Sequence, residues 1–137
     1  MEEPIAVVLK FEQRINSHEA EAVCSLLTAD SVLIDSMGNR IEDASKMRAA
    51  WDGYFKMVPD YTISHSEIFA IGNTVAVFGF AQGTFSKDGS IRKENFWKTP
   101  AAWRVVVKDG KIALWQIFAD NEPIRAIMRK DEGVAER

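Results

Sequence analysis

The 137-residue chain has one cysteine, no excess of positive charge and no apolar run long enough to cross a bilayer. Each shortage excludes a class of function. A single Cys24 cannot form an internal disulfide, and within the apolar string AVCSLL it reads as a small buried hydrophobe, not a nucleophile. The 17 basic against 20 acidic side chains leave a net charge of -3, a balance that does not favour a polyanion, so nucleic acid is not expected as a partner. A spanning helix needs about 20 apolar residues, and no membrane association is expected. The opening MEEPIAVVLKFEQ carries acids where a secretory signal carries bases, which points to cytoplasmic residence. His18 and His65 stand alone, without an HxxxH or CxxC pair, and neither a phosphate loop nor a GxSxG elbow occurs, so no metal and no cofactor are expected. Repeats, linkers and low-complexity segments are also missing. A chain of this length buries about two-thirds of its unfolded surface, and residues 1–137 are read as a single domain.

What the sequence does contain is periodicity. From Pro4, suited to a first helical turn, Ile5, Val8, Leu9 and Ile15 recur at helical spacing until Asn16-Ser17-His18. Ser17 is placed to cap a second short helix, with Val23, Leu26 and Leu27 as its apolar face and Asp30 as its end. SVLID follows as a short strand. Met47, Ala50, Trp51, Tyr54, Phe55 and Val58 then repeat at steps of three and four, predicting a third helix that Pro59 stops. Gly72-Asn73, Asp88-Gly89 and Asp109-Gly110 are hairpin signals between strand-like runs. They predict four consecutive antiparallel strands near 61–70, 73–85, 91–108 and 111–119. Along the third of these, Trp97, Ala101, Trp103, Val105 and Val107 share one face and Lys98, Arg104 and Lys108 the other, while Pro100 marks a bulge or an unpaired edge. A closing helix from Pro123 to about Arg129 leaves RKDEGVAER to fray.

This order predicts an α+β domain, a strongly curved, mainly antiparallel sheet wrapped around N-terminal helices. Such a sheet leaves a conical hollow, and ligands favour concave apolar places.

Three strings, FEQRINSHEAEAVCSLLTADSVLIDSMG, MRAAWDGYFKMVPDY and AAWRVVVKDGKIALWQIFADNEPI, taken in this order, resemble the nuclear transport factor 2-like superfamily, and within it the SnoaL-like polyketide cyclase and ketosteroid isomerase branch. The resemblance implies a cone-shaped fold with one pocket and a homodimer formed through the outer sheet face; it implies function only weakly, because this fold hosts enzymes and inert binders alike. It aligns Asp35 with the general base of ketosteroid isomerases, Phe11 with their oxyanion-hole tyrosine, and Arg104 or Trp103 with the region of their protonated aspartate. Both donors of that oxyanion hole are therefore missing, which disfavours steroid-type isomerisation. Asp120 resembles instead the acid/base aspartate of SnoaL-like cyclases.

Two readings stand for each candidate. Asp120 follows Trp115, Ile117 and Phe118, neighbours that would raise the pKa of a base; before Glu122-Pro123 it also looks like a helix cap, whose bonds would lower it. Strand parity groups it with Gln116 and Phe118, opposite Trp115, Ile117 and Ala119. Asp35 is a second acid or base, or an Asx-type turn residue. His65, sharing its alternation with Tyr61 and Ile63, is a pocket donor or a half-buried structural histidine. Arg104 is solvent-facing, or, with the register shifted by one, a clamp for a carboxylate or phenolate. Trp51, Tyr54, Phe55, Trp97, Trp103 and Phe118 are core residues that could also wall a site for a small apolar or aromatic molecule. The sequence thus supports either a cofactor-free isomerase, cyclase or hydrolase, or a non-catalytic binding or dimerisation module.

Overall fold

The computed structural model describes residues 3–131. The tail expected to fray lies, from residue 132 on, outside them. Among the described residues, four α-helices accompany one open six-stranded sheet. Helix α1 (Pro4–Asn16) opens on Pro4 and buries Val7, Val8, Phe11 and Ile15. Ser17 does not cap the next helix; its hydroxyl donates to the Arg14 carbonyl at 2.6 Å and closes α1 instead. Asn16 fastens that end to the sheet, its side chain donating to the Ile63 carbonyl (3.0 Å) and accepting from the Ile63 amide (2.9 Å).

Helix α2 (Ala20–Cys24) is shorter than the spacing of Val23, Leu26 and Leu27 predicts, because strand β1 (Leu27–Ile34) has already begun. The Ile112 amide donates to the Leu26 carbonyl at 2.9 Å and Leu27 pairs with Ile112, so sheet pairing takes these leucines from the helix. Strand β2 (Arg40–Ile41) follows, then α3 (Ala44–Met57), whose first turn is capped by the Asp43 carboxylate accepting from Ser45 N (2.8 Å) and Lys46 N (3.2 Å). Strands β3 (Thr62–Ile71), β4 (Thr74–Thr84), β5 (Phe96–Lys108) and β6 (Lys111–Ala119) form the antiparallel meander, and α4 (Glu122–Asp131) closes the domain.

The strand order is β2-β1-β6-β5-β4-β3, antiparallel throughout except that β1 runs parallel to β6. β4 and β5 pair as a hairpin up to Thr84 and Phe96, but Asp88-Gly89 lies inside the longer connection between them and not in a two-residue turn. Asp88 turns the connection on itself instead, accepting from Ser90 N (3.0 Å), Ser90 Oγ (2.6 Å) and Arg92 (2.9 Å). Pro100 faces Phe80 on β4 with no register shift, and β6 has ended at Ala119, the partner of Ala101.

The alternation along β5 holds. Trp97, Thr99, Ala101, Trp103, Val105 and Val107 are buried under the helices, and Lys98, Arg104 and Lys108 are exposed. Phe11 sits at the centre of the core against Trp115, with ring centroids 4.8 Å apart. The exit of α3 rests directly on β4 at Gly83, where a Cβ would lie 2.3 Å from Val58 Cγ1. Beside it Asp60 accepts from both Thr84 N and Thr84 Oγ1 at 2.7 Å. These contacts fix the short link that carries Tyr61.

Candidate functional site

A cavity of about 250 Å³ opens between α3 and the far ends of the central strands. Helical spacing brings Ala50, Trp51 and Tyr54 of α3 to it on one face. The sheet contributes Leu33 from β1, Ala81 from β4, Trp97 and Thr99 from β5, and Ile117 and Ala119 from β6; Tyr61, just before β3, completes the wall. Tyr54 meets Tyr61 edge to face at 4.8 Å, and Tyr61 lies 6.2 Å from Trp97. The lining is thus mainly aromatic and aliphatic.

Polar groups gather at one end. Asp35 and Ser36, in the turn after β1, meet Asn121, which precedes α4, and Asn121 Nδ2 donates to Ser36 Oγ. Asp35 accepts from Met37 N (2.9 Å), Asn39 N (2.9 Å) and Asn39 Nδ2 (3.1 Å). Burial pushes its carboxyl up, but the bonds from Asn39 and Met37, with the Arg125 guanidinium, together hold it below the ordinary aspartate value. At neutral pH Asp35 is therefore an anionic acceptor. Burial raises both tyrosines above the usual phenol value, that of Tyr61 also through its neighbour Tyr54, so both are protonated donors at neutral pH.

Asp35, Trp51, Tyr54 and Trp97 thus share the cavity, and the other sequence candidates stand elsewhere. Asp120 is exposed, and its Oδ1 accepts the Glu122 amide at 2.9 Å, a bond at the first turn of α4. The reason is parity: Ile117, Ala119 and Asn121 continue the inward face from buried Trp115, which sends Asp120 outward with the half-exposed Phe118. His65 keeps to the helix side of β3 but lies beyond the cavity, its Nδ1 2.9 Å from a Glu12 oxygen on α1. Arg104 is exposed, in register with Gln116. No one-residue shift turns it inward. Phe55 packs against His18 and Trp51, and Trp103 lies against Trp115 in the core.

Sequence reasoning missed Tyr61, Ser36, Thr99 and Asn121. Tyr61 and Thr99 carried a usable signal, since each is in phase with a buried neighbour, Ile63 and Trp97. Ser36 and Asn121 carried none, being brought together across 85 positions. Among the described residues no group of three or more histidine, cysteine, aspartate or glutamate side chains is placed to hold a metal ion. No described helix is long and apolar enough to cross a membrane.

The SnoaL-like domain family matches residues 8–115. No curated protein matches the sequence. Similar solved structures include a candidate SnoaL-like polyketide cyclase from Shewanella putrefaciens CN-32, at 12% identity and a TM-score of 0.78, covering 95% of this chain and 98% of that one. IdmH, a candidate polyketide cyclase from Streptomyces antibioticus, is 20% identical with a TM-score of 0.75 over 93% and 99% of the two chains. A protein with a ketosteroid isomerase-like fold from Catenulispora acidiphila DSM 44928, in complex with trimethylamine, is 13% identical with a TM-score of 0.75 over 88% and 89%. At these identities the likeness is one of fold.

Proposed function

The chain belongs to the SnoaL-like domain family, and on that premise we propose that it binds a small, flat, largely apolar cyclic molecule in the cavity beneath α3. The observation that carries this reading is the convergence of Trp51, Tyr54, Tyr61 and Trp97 on one space with Asp35 at its polar end. A cavity of about 250 Å³ matches one or two fused rings and little more. Aromatic walls contribute area and offset or edge-on ring contacts, and a few polar groups fix orientation.

Asp35 is the carboxylate in the lining, and any proton transfer falls to it. Three hydrogen bonds to its ionised form make it a weak base and a good acceptor, so its first role is to orient a ligand N–H or O–H. Fold neighbours bearing the cyclase name, and one bound to trimethylamine, support a small-molecule site without indicating which molecule. Calorimetric titration with naphthalene-sized compounds tests the reading. Binding should be lost in Ala119→Leu, which fills the cavity, and retained in Asp120→Asn; equal affinity in Ala119→Leu would place the ligand elsewhere.

A separate observation supports a homodimer. The outer sheet face carries exposed Phe69, Phe78, Phe80 and Phe118, with Phe78, Ala102 and Phe118 in register across β4, β5 and β6. Contiguous exposed apolar surface on a small domain marks an interface. Light scattering should give twice the 15.4 kDa chain mass, falling to the single mass in Phe78→Asp; a wild-type chain that runs as a monomer at high concentration refutes it.

A further inference from the structure

The oxygen inventory of the cavity is lopsided. Several of its oxygens already carry bonds: Asp35 takes three hydrogen bonds, Ser36 Oγ takes one from Asn121, and Thr99 Oγ1 itself donates to the Asp120 carbonyl at 3.1 Å. Two of its donors carry none. Among the described residues neither the Tyr54 nor the Tyr61 hydroxyl has a hydrogen-bond partner. Both side chains line the cavity, and neither phenol oxygen is sealed off within the protein. The indole N–H groups of Trp51 and Trp97 also lack acceptors, but so do those of Trp103 and Trp115 in the core, so the indoles do not discriminate.

Burial costs a hydroxyl free energy unless a bond replaces the one it had with water. Two phenols, their rings 4.8 Å apart, therefore present a vacant pair of donors inside an apolar wall. Resting on the reading of this cavity as a small-molecule site, we infer that its ligand carries a carbonyl or other oxygen acceptor that sits against Tyr54 and Tyr61, with the rings along Trp51 and Trp97. A donor elsewhere on such a ligand meets Asp35 at the polar end. The cavity thus selects for oxygenated rings over hydrocarbons of the same shape. The donors come from α3 and the link after it, not from Phe11 of α1, which is fully buried in the core and has no polar atom to offer.

The test compares 1-tetralone with tetralin, two compounds of one skeleton that differ by a carbonyl, by calorimetry on the full chain. Hydrophobicity alone favours tetralin, so the sign of the difference is diagnostic. Tetralone should bind about tenfold more tightly, its carbonyl stretch should fall in the complex, and the Tyr54→Phe/Tyr61→Phe variant should lose both effects. A wild-type circular dichroism spectrum shows that the variant is folded, and the two single variants should each lose part of the preference. Equal binding, or tighter tetralin binding, overturns the inference and leaves the small-molecule site standing. A preference that survives in the double variant also overturns it. If neither compound binds, the small-molecule reading falls and the inference with it.

Discussion

Replacing Gly83 by alanine puts the seating of α3 on β4 to a direct test. A glycine to alanine change that fits its site stabilises by about 0.4–1 kcal/mol, by reducing the freedom of the unfolded chain. Here the added carbon meets Val58 Cγ1 at 2.3 Å, with Asp60 Oδ1 and Tyr61 Cα both at 3.3 Å. Carbon atoms rest about 3.5–4.0 Å apart, so something must move by more than an ångström. Val58 is fully buried, its amide is held by the Tyr54 carbonyl at 2.8 Å, and Asp60 is held by two bonds to Thr84. Overpacking of this kind costs about 1–3 kcal/mol, which for a domain of this size lowers Tm by roughly 4–12 °C. Thermal melts followed by circular dichroism give the sign at once. In a Val58→Ala background the obstructing methyl is gone, and Gly83→Ala should then be close to neutral, a coupling of about 1 kcal/mol or more between the two sites. Equal costs in the two backgrounds, or a Gly83→Ala protein that melts at or above the wild-type temperature, would refute the close approach. The same variant should weaken ligand binding, because Tyr61 lies on the segment that is displaced.

Asp120→Ala should lose about 0.5–1.5 kcal/mol in urea denaturation, the net worth of the hydrogen bond that Asp120 accepts at the start of α4, whereas Asp120→Asn should lose little; a loss of ligand affinity in either would restore Asp120 to the cavity. The chain has two tyrosines, both in the cavity wall, so phenolate absorbance near 295 nm reports on them alone. With both held above the ordinary phenol value, the native protein should form no phenolate as pH rises through about 10 until it unfolds; a free-tyrosine titration curve in folded protein contradicts the burial. Asp35, held below its unfolded value, contributes stability that is present above about pH 3.9 and is lost as pH falls through the lower folded value. Wild type should therefore exceed Asp35→Asn in Tm at pH 7 and match it at the acid end, and a gap that widens on acidification reverses the sign.

Much of this fold was legible because its signals are local. The alternation in β5 gave Trp97, Trp103, Val105 and Val107 their face, and the three- and four-residue steps from Met47 gave α3 with Trp51 and Tyr54 on the side that meets the cavity. What could not be read was set by partners distant in sequence. Leu26 and Leu27 look helical until Ile112 claims them for the sheet. Asp88-Gly89 looks like a two-residue turn, yet it lies within a longer hairpin connection, where the carboxylate satisfies Ser90 and Arg92. Asp120 drew notice as a charged group beside aromatics, yet inward parity belonged to Asn121, and the choice between the two follows from which face Trp115 buries. Asp35 was open between turn residue and site residue; it closes its turn and lines the cavity at once.

The parallel pairing of β1 with β6 has a kinetic consequence. Every other ladder in the sheet joins strands adjacent in the chain, and these close over far shorter stretches of chain. The β1–β6 ladder must wait for nearly the whole chain to be collected, and pairings of such long range are slow to form. It is also this ladder that brings the turn bearing Asp35 and Ser36 to Asn121, 85 positions on. A folding chain should therefore acquire its hydrophobic meander before it has a binding site, and ligand would be the late probe of native structure, engaging only molecules whose first and last strands have met.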